Sequence, residues 1–342
     1  MSEDIRKLVT IRTIKSIDPI EGADAIESAT VDGWSAVVKK GDFQVGDSVL
    51  YFEVDTALPT DVTEFSFLKG KKRIHPTLNK EMDVHVLKTI RLRGSLSQGL
   101  ILPLPFGITS SSTQEEIDEV MDLLGVYKYE APVKDTTTQK GTFPSWVQKT
   151  DSERVQNLTD EFLRSLSPNE WFATIKEDGS SITVFRTEDG EFGFCSRNWE
   201  LNPEGDSRFH RIVKKYNLEE LIPPGIYIQG EVHGLGVQGN PQKLGEERLS
   251  IFYTNYPPAS EHDRYSEEGF EGLLDNIWVE TLDIPLPTTV AEAIEQADGI
   301  LHPVTGLPAE GIVWHNIHDK KFKELGYRST FKAVSNSYLL KH

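Results

Sequence analysis

From Leu8 to Leu102 the apolar residues fall in short β-rich runs punctuated by polar turns: Leu8 to Ile14, Ser35 to Val38, Ser48 to Val54, Val84 to Leu92 and Leu100 to Leu102. Turn signals separate the early runs at Val31-Asp32-Gly33, Lys40-Gly41-Asp42 and Val45-Gly46-Asp47. Short strands with no helices between them predict a small all-β barrel. The OB-fold is one such barrel, and an SH3-like barrel would read nearly the same.

The pattern then changes. Thr113 and Glu116 have the spacing of a capping box, Ile117, Val120, Met121 and Leu124 recur at helical spacing, and Gly125 suits a C-terminal cap. One amphipathic helix is therefore expected to close a first domain over residues 1–130. Residues 131–142, with Pro132, three consecutive threonines (Thr136, Thr137 and Thr138) and Gly141, lack apolar periodicity and read as a linker. A second helix is expected from Ser152 to Leu166, with Val155, Leu158, Phe162 and Leu166 on one face. Strand-like segments follow, divided by turns at Asp178-Gly179, Asp189-Gly190 and Pro224-Gly225. The expected class is α+β, an OB-like barrel followed by a second domain over residues 143–342, with no internal repeat.

Composition refines this picture. A chain of 342 residues, 37% apolar and 26% charged, exceeds what one hydrophobic core usually absorbs, in keeping with two domains. The charged start, Met-Ser-Glu-Asp-Ile-Arg-Lys, and an apolar stretch from Leu100 to Ile108 broken by Pro103 and Pro105 give no sign of a signal peptide or a membrane span. With Cys195 the single cysteine, an internal disulfide framework and a multi-cysteine zinc cluster are excluded, which fits an intracellular setting, cytoplasm or nucleus. A net charge of −18 argues against holding nucleic acid by bulk attraction. Two local basic tracks stand out against it. Lys69, Lys71, Lys72 and Arg73 read equally as a solvated face or a phosphate track, whereas Lys88, Arg91 and Arg93 lie on a strand-like segment and point more to nucleic acid.

The candidate chemistry lies in Thr174-Ile175-Lys176-Glu177-Asp178-Gly179-Ser180-Ser181, followed by β-rich Ile182-Thr183-Val184-Phe185. A lysine ending an apolar strand, with an acid and a glycine two and three residues on, is suited to deliver an amine into a pocket beside a carboxylate. A lysine nucleophile must lose a proton to attack, and its pKa moves readily in a pocket or near other cations. An exposed hairpin with a solvated lysine would account for the tetrapeptide equally well.

The companions of this segment decide between the two. It resembles motif I of the covalent nucleotidyltransferases, the superfamily of DNA ligases, RNA ligases and mRNA capping enzymes. Cys195-Ser196-Arg197-Asn198 resembles motif Ia, Gln229-Gly230-Glu231-Val232 motif III, and Leu249-Ser250-Ile251-Phe252-Tyr253 motif IIIa. Glu310-Gly311-Ile312-Val313 resembles motif IV, and Phe331-Lys332-Ala333-Val334-Ser335-Asn336 motif V. The resemblance implies an antiparallel-sheet nucleotidyltransferase domain in which Lys176 forms a phosphoramidate with AMP from ATP and Lys332 contacts the α-phosphate. It implies Asp178, Glu231 and Glu310 as oxygen ligands for Mg²⁺ or Mn²⁺, some of them through water. Phe252 would stack on adenine, Arg197 and Glu231 would grip the ribose or the acceptor end, and Ile175 and Arg154 would complete the nucleotide site.

Two positions depart from the superfamily pattern. Ser181 stands where many members carry arginine, and motif V offers one lysine where two are common. Arg154, in Lys149-Thr150-Asp151-Ser152-Glu153-Arg154-Val155-Gln156-Asn157, could restore charge; the segment resembles a Lys-Thr-Asp-x-x-Arg-x-Gln-Asn element of one ligase group, and a plain N-capped helix explains it as well. Domain order narrows the group further. Motif V lies near the end of the sequence and the candidate barrel precedes the motifs, as in RNA ligase family 5, whose N-terminal domain the stretch from Lys88 to Pro103 also resembles. The expectation is a monomeric ATP-dependent RNA ligase acting on nucleic acid with an RNA 3′-OH at a nick or end. The alternatives are a capping-type guanylyltransferase, a DNA ligase or a non-catalytic RNA-binding protein.

Overall fold

The computed structural model describes residues 7–129, 139–149, 151–256 and 277–341. The chain divides into two compact units, Ile5–Pro132 and Val133–Lys341.

In the first unit, β1 (Val9–Pro19), β2 (Ile26–Val31), β3 (Trp34–Lys39) and β4 (Ser48–Phe52) are the first four strands. The long β1 serves two neighbours: Val9 to Thr13 pair with β4, and beyond an irregularity between Ile14 and Ser16 the strand pairs with β2. A bulge at that point bends the strand and sharpens its twist, as a closing barrel requires. Next come β5 (Thr56–Pro59), β6 (Lys71–Ile74), β7 (Glu81–Val86), β8 (Thr89–Leu92), β9 (Ser95–Gln98) and β10 (Leu100–Leu102). The run expected as one strand from Val84 to Leu92 is thus two, because Leu87 turns inward to be buried and its N–H bonds Thr56 O at 2.9 Å. Ser97 Oγ accepts from the Val37 N–H at 3.0 Å, tying β9 to β3.

Strand β4 is buried on both faces, so its neighbouring residues enter different cores: Leu50 and Phe52 join Val9, Leu58 and Phe65, while Val49 and Tyr51 join Ile14, Trp34 and Ile101. The first core is covered by α1 (Gln114–Leu123), which buries Ile117 and Met121. Its capping box forms as the sequence indicates, with the Glu116 N–H donating to Thr113 Oγ1 at 3.3 Å and the Thr113 N–H to Glu116 Oε2 at 2.8 Å. Gly125 takes φ +73° just past the helix. The short β11 (Tyr127–Lys128) then pairs with β5.

Of the stretch expected as a linker, residues 131–138 lie outside the described residues, and Gln139–Thr142 is strand β12. The expected helix from Ser152 to Leu166 is replaced by three elements. Glu153–Arg154 forms β13, Val155–Asn157 a single 3₁₀ turn, and only Asp160–Ser165 is helical (α2). The spacing of Val155, Leu158, Phe162 and Leu166 correctly marks four buried residues. Thr159, however, accepts from the Phe162 N–H at 3.1 Å and starts a new helix there.

The rest of this unit holds β14 (Trp171–Lys176), β15 (Ser180–Arg186), β16 (Phe192–Cys195), β17 (Trp199–Leu201), α3 (Arg208–Lys215), α4 (Leu218–Leu221), β18 (Tyr227–Gly234) and β19 (Glu247–Thr254). It continues with β20 (Thr281–Leu282), α5 (Val290–Asp298), β21 (Gly311–Asn316), β22 (Thr330–Val334) and α6 (Asn336–Leu339). One sheet runs β12-β17-β16-β15-β18-β19 and a second β13-β22-β21-β14-β20. Each sheet has an apolar face on its own core, and the first sheet carries a smaller apolar cluster of Phe185, Cys195 and Tyr227 with Val147 on its other face. Ile182, Val184, Ile228, Val232 and Leu249 of the first sheet pack with α3 and α4, and Trp171, Ala173, Ile312, Trp314, Phe331 and Ala333 of the second pack with α2 and α5.

Gly311 lies where β21 passes closest to β22: a Cβ there would sit 2.1 Å from Ala333 O. Gly311→Ala is therefore expected to destabilise the second unit by about 1–3 kcal/mol or more through overpacking, read as a lowered denaturant midpoint.

Candidate active site

Because side chains alternate across a strand, the apolar faces of the two sheets dictate what the opposite faces carry. On β14, with Trp171 and Ala173 in the core, Phe172, Thr174 and Lys176 point the other way, and on β22 Lys332 lies between the core residues Phe331 and Ala333. In the first sheet, with Ile182 and Val232 in the core, Ser181 and its partner Glu231 lie on the opposite face. The two polar faces together make the site.

Lys176 Nζ donates to Glu310 Oε2 at 2.5 Å, with side chains only 23% and 16% exposed. Burial acts to lower the pKa of this amine, but Glu310, Glu231 and Asp178 outweigh it and hold the lysine above its ordinary value. The acids respond in kind. Burial, reinforced by Glu310 and opposed by Lys176, pushes Glu231 up to about 8, and burial also raises Glu310. Lys332 is driven the other way, down to about 7, by burial and by the cations Arg154, Lys176 and Arg197. The site thus holds more carboxylate than one ammonium can neutralise, alongside a lysine short of an anion. That balance suits a divalent cation with hard oxygen ligands together with a phosphate. Among the described residues, no three His, Cys, Asp or Glu converge as a ready-made metal site, so Asp178, Glu231 and Glu310 do not by themselves form a closed ligand set.

The turn after Lys176 is pinned at each residue by a different element. The Tyr338 hydroxyl of α6 donates to Asp178 Oδ2 at 2.8 Å, and Gln238 Nε2 donates to Gly179 O at 3.1 Å. Gly179 is needed for its size: a Cβ would lie 2.3 Å from Val232 O. Glu177 is buried and accepts from His302 Nε2 at 2.9 Å.

Arg154 sits beside Lys332 through the parallel pairing of β13 with β22, next to the motif that is one lysine short. Arg197 pairs with Asp151 at 2.7 Å. Phe252 is the extra residue of a bulge, since Gln229 pairs with Tyr253 and Gly230 with Ile251. It is partly buried, yet it joins none of the described core clusters, whereas its neighbours Ile251 and Tyr253 belong to two of them. Ile175 is fully buried and its N–H donates to Glu280 O at 2.9 Å, so it supports the lysine-bearing strand. Lys88, Arg91 and Arg93 lie in the first unit, exposed on and beside the β8–β9 hairpin, whose turn is Arg93 (φ +48°) and Gly94 (φ +86°). Of the first basic track, Arg73 is bound to the Tyr129 hydroxyl at 2.6 Å and Lys72 pairs with Glu81 at 3.2 Å.

Known proteins match this arrangement. A family model described as RNA ligase matches residues 169–334, and one described as an OB-fold domain matches residues 8–104. Solved structures of a Naegleria gruberi RNA ligase resemble the chain along nearly its whole length. A variant with AMP and Mn is 34% identical, with 98% of this chain and 99% of that one covered and a TM-score of 0.79. A variant with ATP and Mn gives 33%, 98%, 99% and 0.78, and the ligase with PPi 33%, 98%, 99% and 0.76. The chain belongs to the RNA ligase family. A capping-type guanylyltransferase, a DNA ligase and a non-catalytic RNA-binding protein are not favoured by these matches. Comparison with curated proteins gives no match. In this RNA ligase no helix among the described residues is long and apolar enough to cross a membrane.

Sequence reasoning missed several residues that shape the ligase site: Asp151 on Arg197, Tyr338 on Asp178, and Glu177 with His302. Asp151 lay in a recognised element, but its partner is 46 residues away. Tyr338 lies just past motif V but its partner is 160 residues away, and nothing near His302 in the sequence signals a role. His315 is also new. Buried, bonded to Thr174 Oγ1 at 2.9 Å and stacked on Phe172, it is driven by burial down to about 3 and stays neutral.

The raised Glu231 has a measurable consequence in the metal-free protein. The folded state binds this proton more tightly than the unfolded state, so its stabilising contribution is complete below pH 4.5 and is lost as pH rises through about 8. Glu231→Gln is expected to flatten the fall in stability across that window. Unfolding midpoints measured in chelator from pH 4.5 to 8.5 check it; an unchanged slope would place the titration elsewhere.

Proposed function

We propose that the chain is an ATP-dependent RNA ligase that joins a 3′-OH to a 5′-phosphate, with Lys176 as the nucleophile. The observation that carries this reading is the Lys176 amine set against Glu310 between two polar sheet faces, with Lys332 and Arg154 on adjacent strands. Lys176 first gives up a proton to become the free amine; the Nζ–P bond then forms at the α-phosphorus of ATP as the bond to pyrophosphate breaks, and the second proton of the nitrogen is released to solvent. AMP then moves to the 5′-phosphate of the nucleic acid, and the 3′-OH displaces it to seal the strand. Solved relatives hold ATP with Mn, AMP with Mn, and PPi, in keeping with this course.

The residues divide the work by charge. Lys332, lowered by burial and neighbouring cations, would be held in its charged form by an arriving phosphate, and Arg154 adds the charge missing from motif V. Asp178, Glu231 and Glu310 would hold Mg²⁺ or Mn²⁺, in part through water, and the bound cation would neutralise phosphate charge and favour the free amine. Phe252, freed from the cores by its bulge, would stack on adenine, and Arg197 would face the ribose or the acceptor end. Lys88, Arg91 and Arg93 would contact the phosphates of nucleic acid carrying an RNA 3′-OH.

Lys176→Ala and Lys176→Arg are expected to abolish the protein–AMP adduct, read as label from ATP retained on the denatured protein; undiminished labelling would sink the assignment. Tyr338→Phe removes only the hydroxyl on Asp178. It should raise the Mn²⁺ concentration for half-maximal adduct formation on the order of 10-fold or more, as loss of a group orienting a ligand does. Charge reversal at Arg91 and Arg93 should weaken nick binding and reduce the slope of log affinity against log salt by roughly 0.9 per lost phosphate contact. An unchanged slope would remove the hairpin from the interface.

A further inference from the structure

The position between Lys176 and Asp178 holds a carboxylate that does not face the amine's partners. Glu177 is 7% exposed, and a buried charge is costly unless it is paired and hydrogen-bonded. Its partners come from two distant segments. His302 Nε2 lies 2.9 Å from Oε1, and His233 Nδ1 lies 3.6 Å from Oε2, close but too long for a hydrogen bond. The tautomer of His302 follows from its other nitrogen: Nδ1 accepts the Val304 N–H at 3.2 Å, so the proton sits on Nε2 and is donated to Glu177. Burial pushes the Glu177 carboxyl up, but the His302 hydrogen bond and the two imidazoles outweigh it and keep the group ionised.

His302 belongs to a closed loop. Its N–H donates to Leu307 O and its own carbonyl accepts from the Gly306 N–H, each at 2.8 Å, and the Ala309 N–H returns to Ile300 O at 3.2 Å. Gln242 braces the loop by donating to Pro308 O at 2.8 Å and accepting from the Thr305 hydroxyl at 2.5 Å. The residue that leaves this loop is Glu310, the partner of Lys176. Two consecutive residues at one strand end therefore grip the same segment at two points, Lys176 at Glu310 and Glu177 at His302.

We propose that Glu177 and His302 form a positioning pair that sets where the Lys176 amine stands relative to Glu310 and to the phosphorus it attacks. The pair touches no reacting atom, and its action rests on the reading of Lys176 as the nucleophile. Displacement of a reacting group by about 1 Å lowers a rate on the order of 100-fold, so loss of the grip should appear in the adenylylation rate.

The test uses the full chain carrying Glu177→Gln, Glu177→Ala, His302→Ala or both alanines. Three readouts are taken: single-turnover protein–AMP formation over a range of ATP, sealing of a nick already 5′-adenylylated, and the unfolding midpoint. Each alanine variant should lose on the order of 10- to 100-fold in the adenylylation rate, with half-saturating ATP within about twofold of wild type. Glu177→Gln keeps an oxygen for His302 and should recover most of the rate. The double variant should be no slower than the slower single, because both remove one interaction. Sealing of the adenylylated nick, which does not use the amine as nucleophile, should change by less than about threefold, a small step beside the tenfold unit of 1.36 kcal/mol. If Glu177→Ala does not fold, His302→Ala and Glu177→Gln make the same comparison. Wild-type adenylylation in the alanine variants, equal losses in both steps, or multiplicative effects in the double variant would overturn the proposal. Absence of any adduct on Lys176 in the wild-type protein would instead overturn the ligase reading.

Discussion

The contact between Lys176 and Glu310 joins the end of one strand to the start of its neighbour, with Lys176 in register with Gly311. A charged pair this enclosed is tolerated only when its geometry is held from several sides. The surrounding architecture does this. The main apolar face of each sheet is sealed on its own core, which leaves Lys176, Lys332 and Glu231 on the opposite faces. Gly179 and Gly311 let backbones approach more closely than any side chain allows, and Tyr338, Gln238 and His302 fix the turn that follows the lysine.

Charge within the site is unequally distributed in a way that anticipates its proposed ligands. Glu231 is raised to about 8 and Lys332 lowered to about 7. Both conditions reflect burial beside like charges. A cation among the carboxylates and a phosphate beside the basic groups would relieve them together, so nucleotide and metal would each favour binding of the other. This also gives the two departures from the superfamily pattern a physical sense. With Ser181 facing Glu231 and a single lysine in motif V, a parallel strand pair brings in Arg154 as the additional cation.

The N-terminal unit meets a different constraint. In a chain of net charge −18, attraction to nucleic acid must be local. The β8–β9 hairpin exposes Arg91 and Arg93, the cations proposed for that role, whereas Arg73 in the other basic track is spent within its own unit on Tyr129. Sequence alone favoured the second track on its strand-like setting but could not show which cations are exposed. Which cations remain exposed depends on the hairpins and tyrosines that pack around them.

Some features were legible from sequence because their causes are local. The short strands of the barrel, the Thr113–Glu116 capping box and the glycine after α1 depend on periodicity, cap geometry and sterics within a few residues. The six motifs carried the family for the same reason, since each is a short run of residues on or beside a single strand. The segment from Ser152 to Leu166 was misread as one helix because pairing with β22, a strand almost two hundred residues away, claims Glu153 and Arg154. Glu177, His302, Tyr338, Asp151 and His315 were silent for an equivalent reason. An ionisable side chain shows its role only when folding decides whether a distant partner or water meets it. Here the partners of Glu177 and Asp178 lie 125 and 160 residues away, and tertiary structure alone brings them within hydrogen-bonding distance.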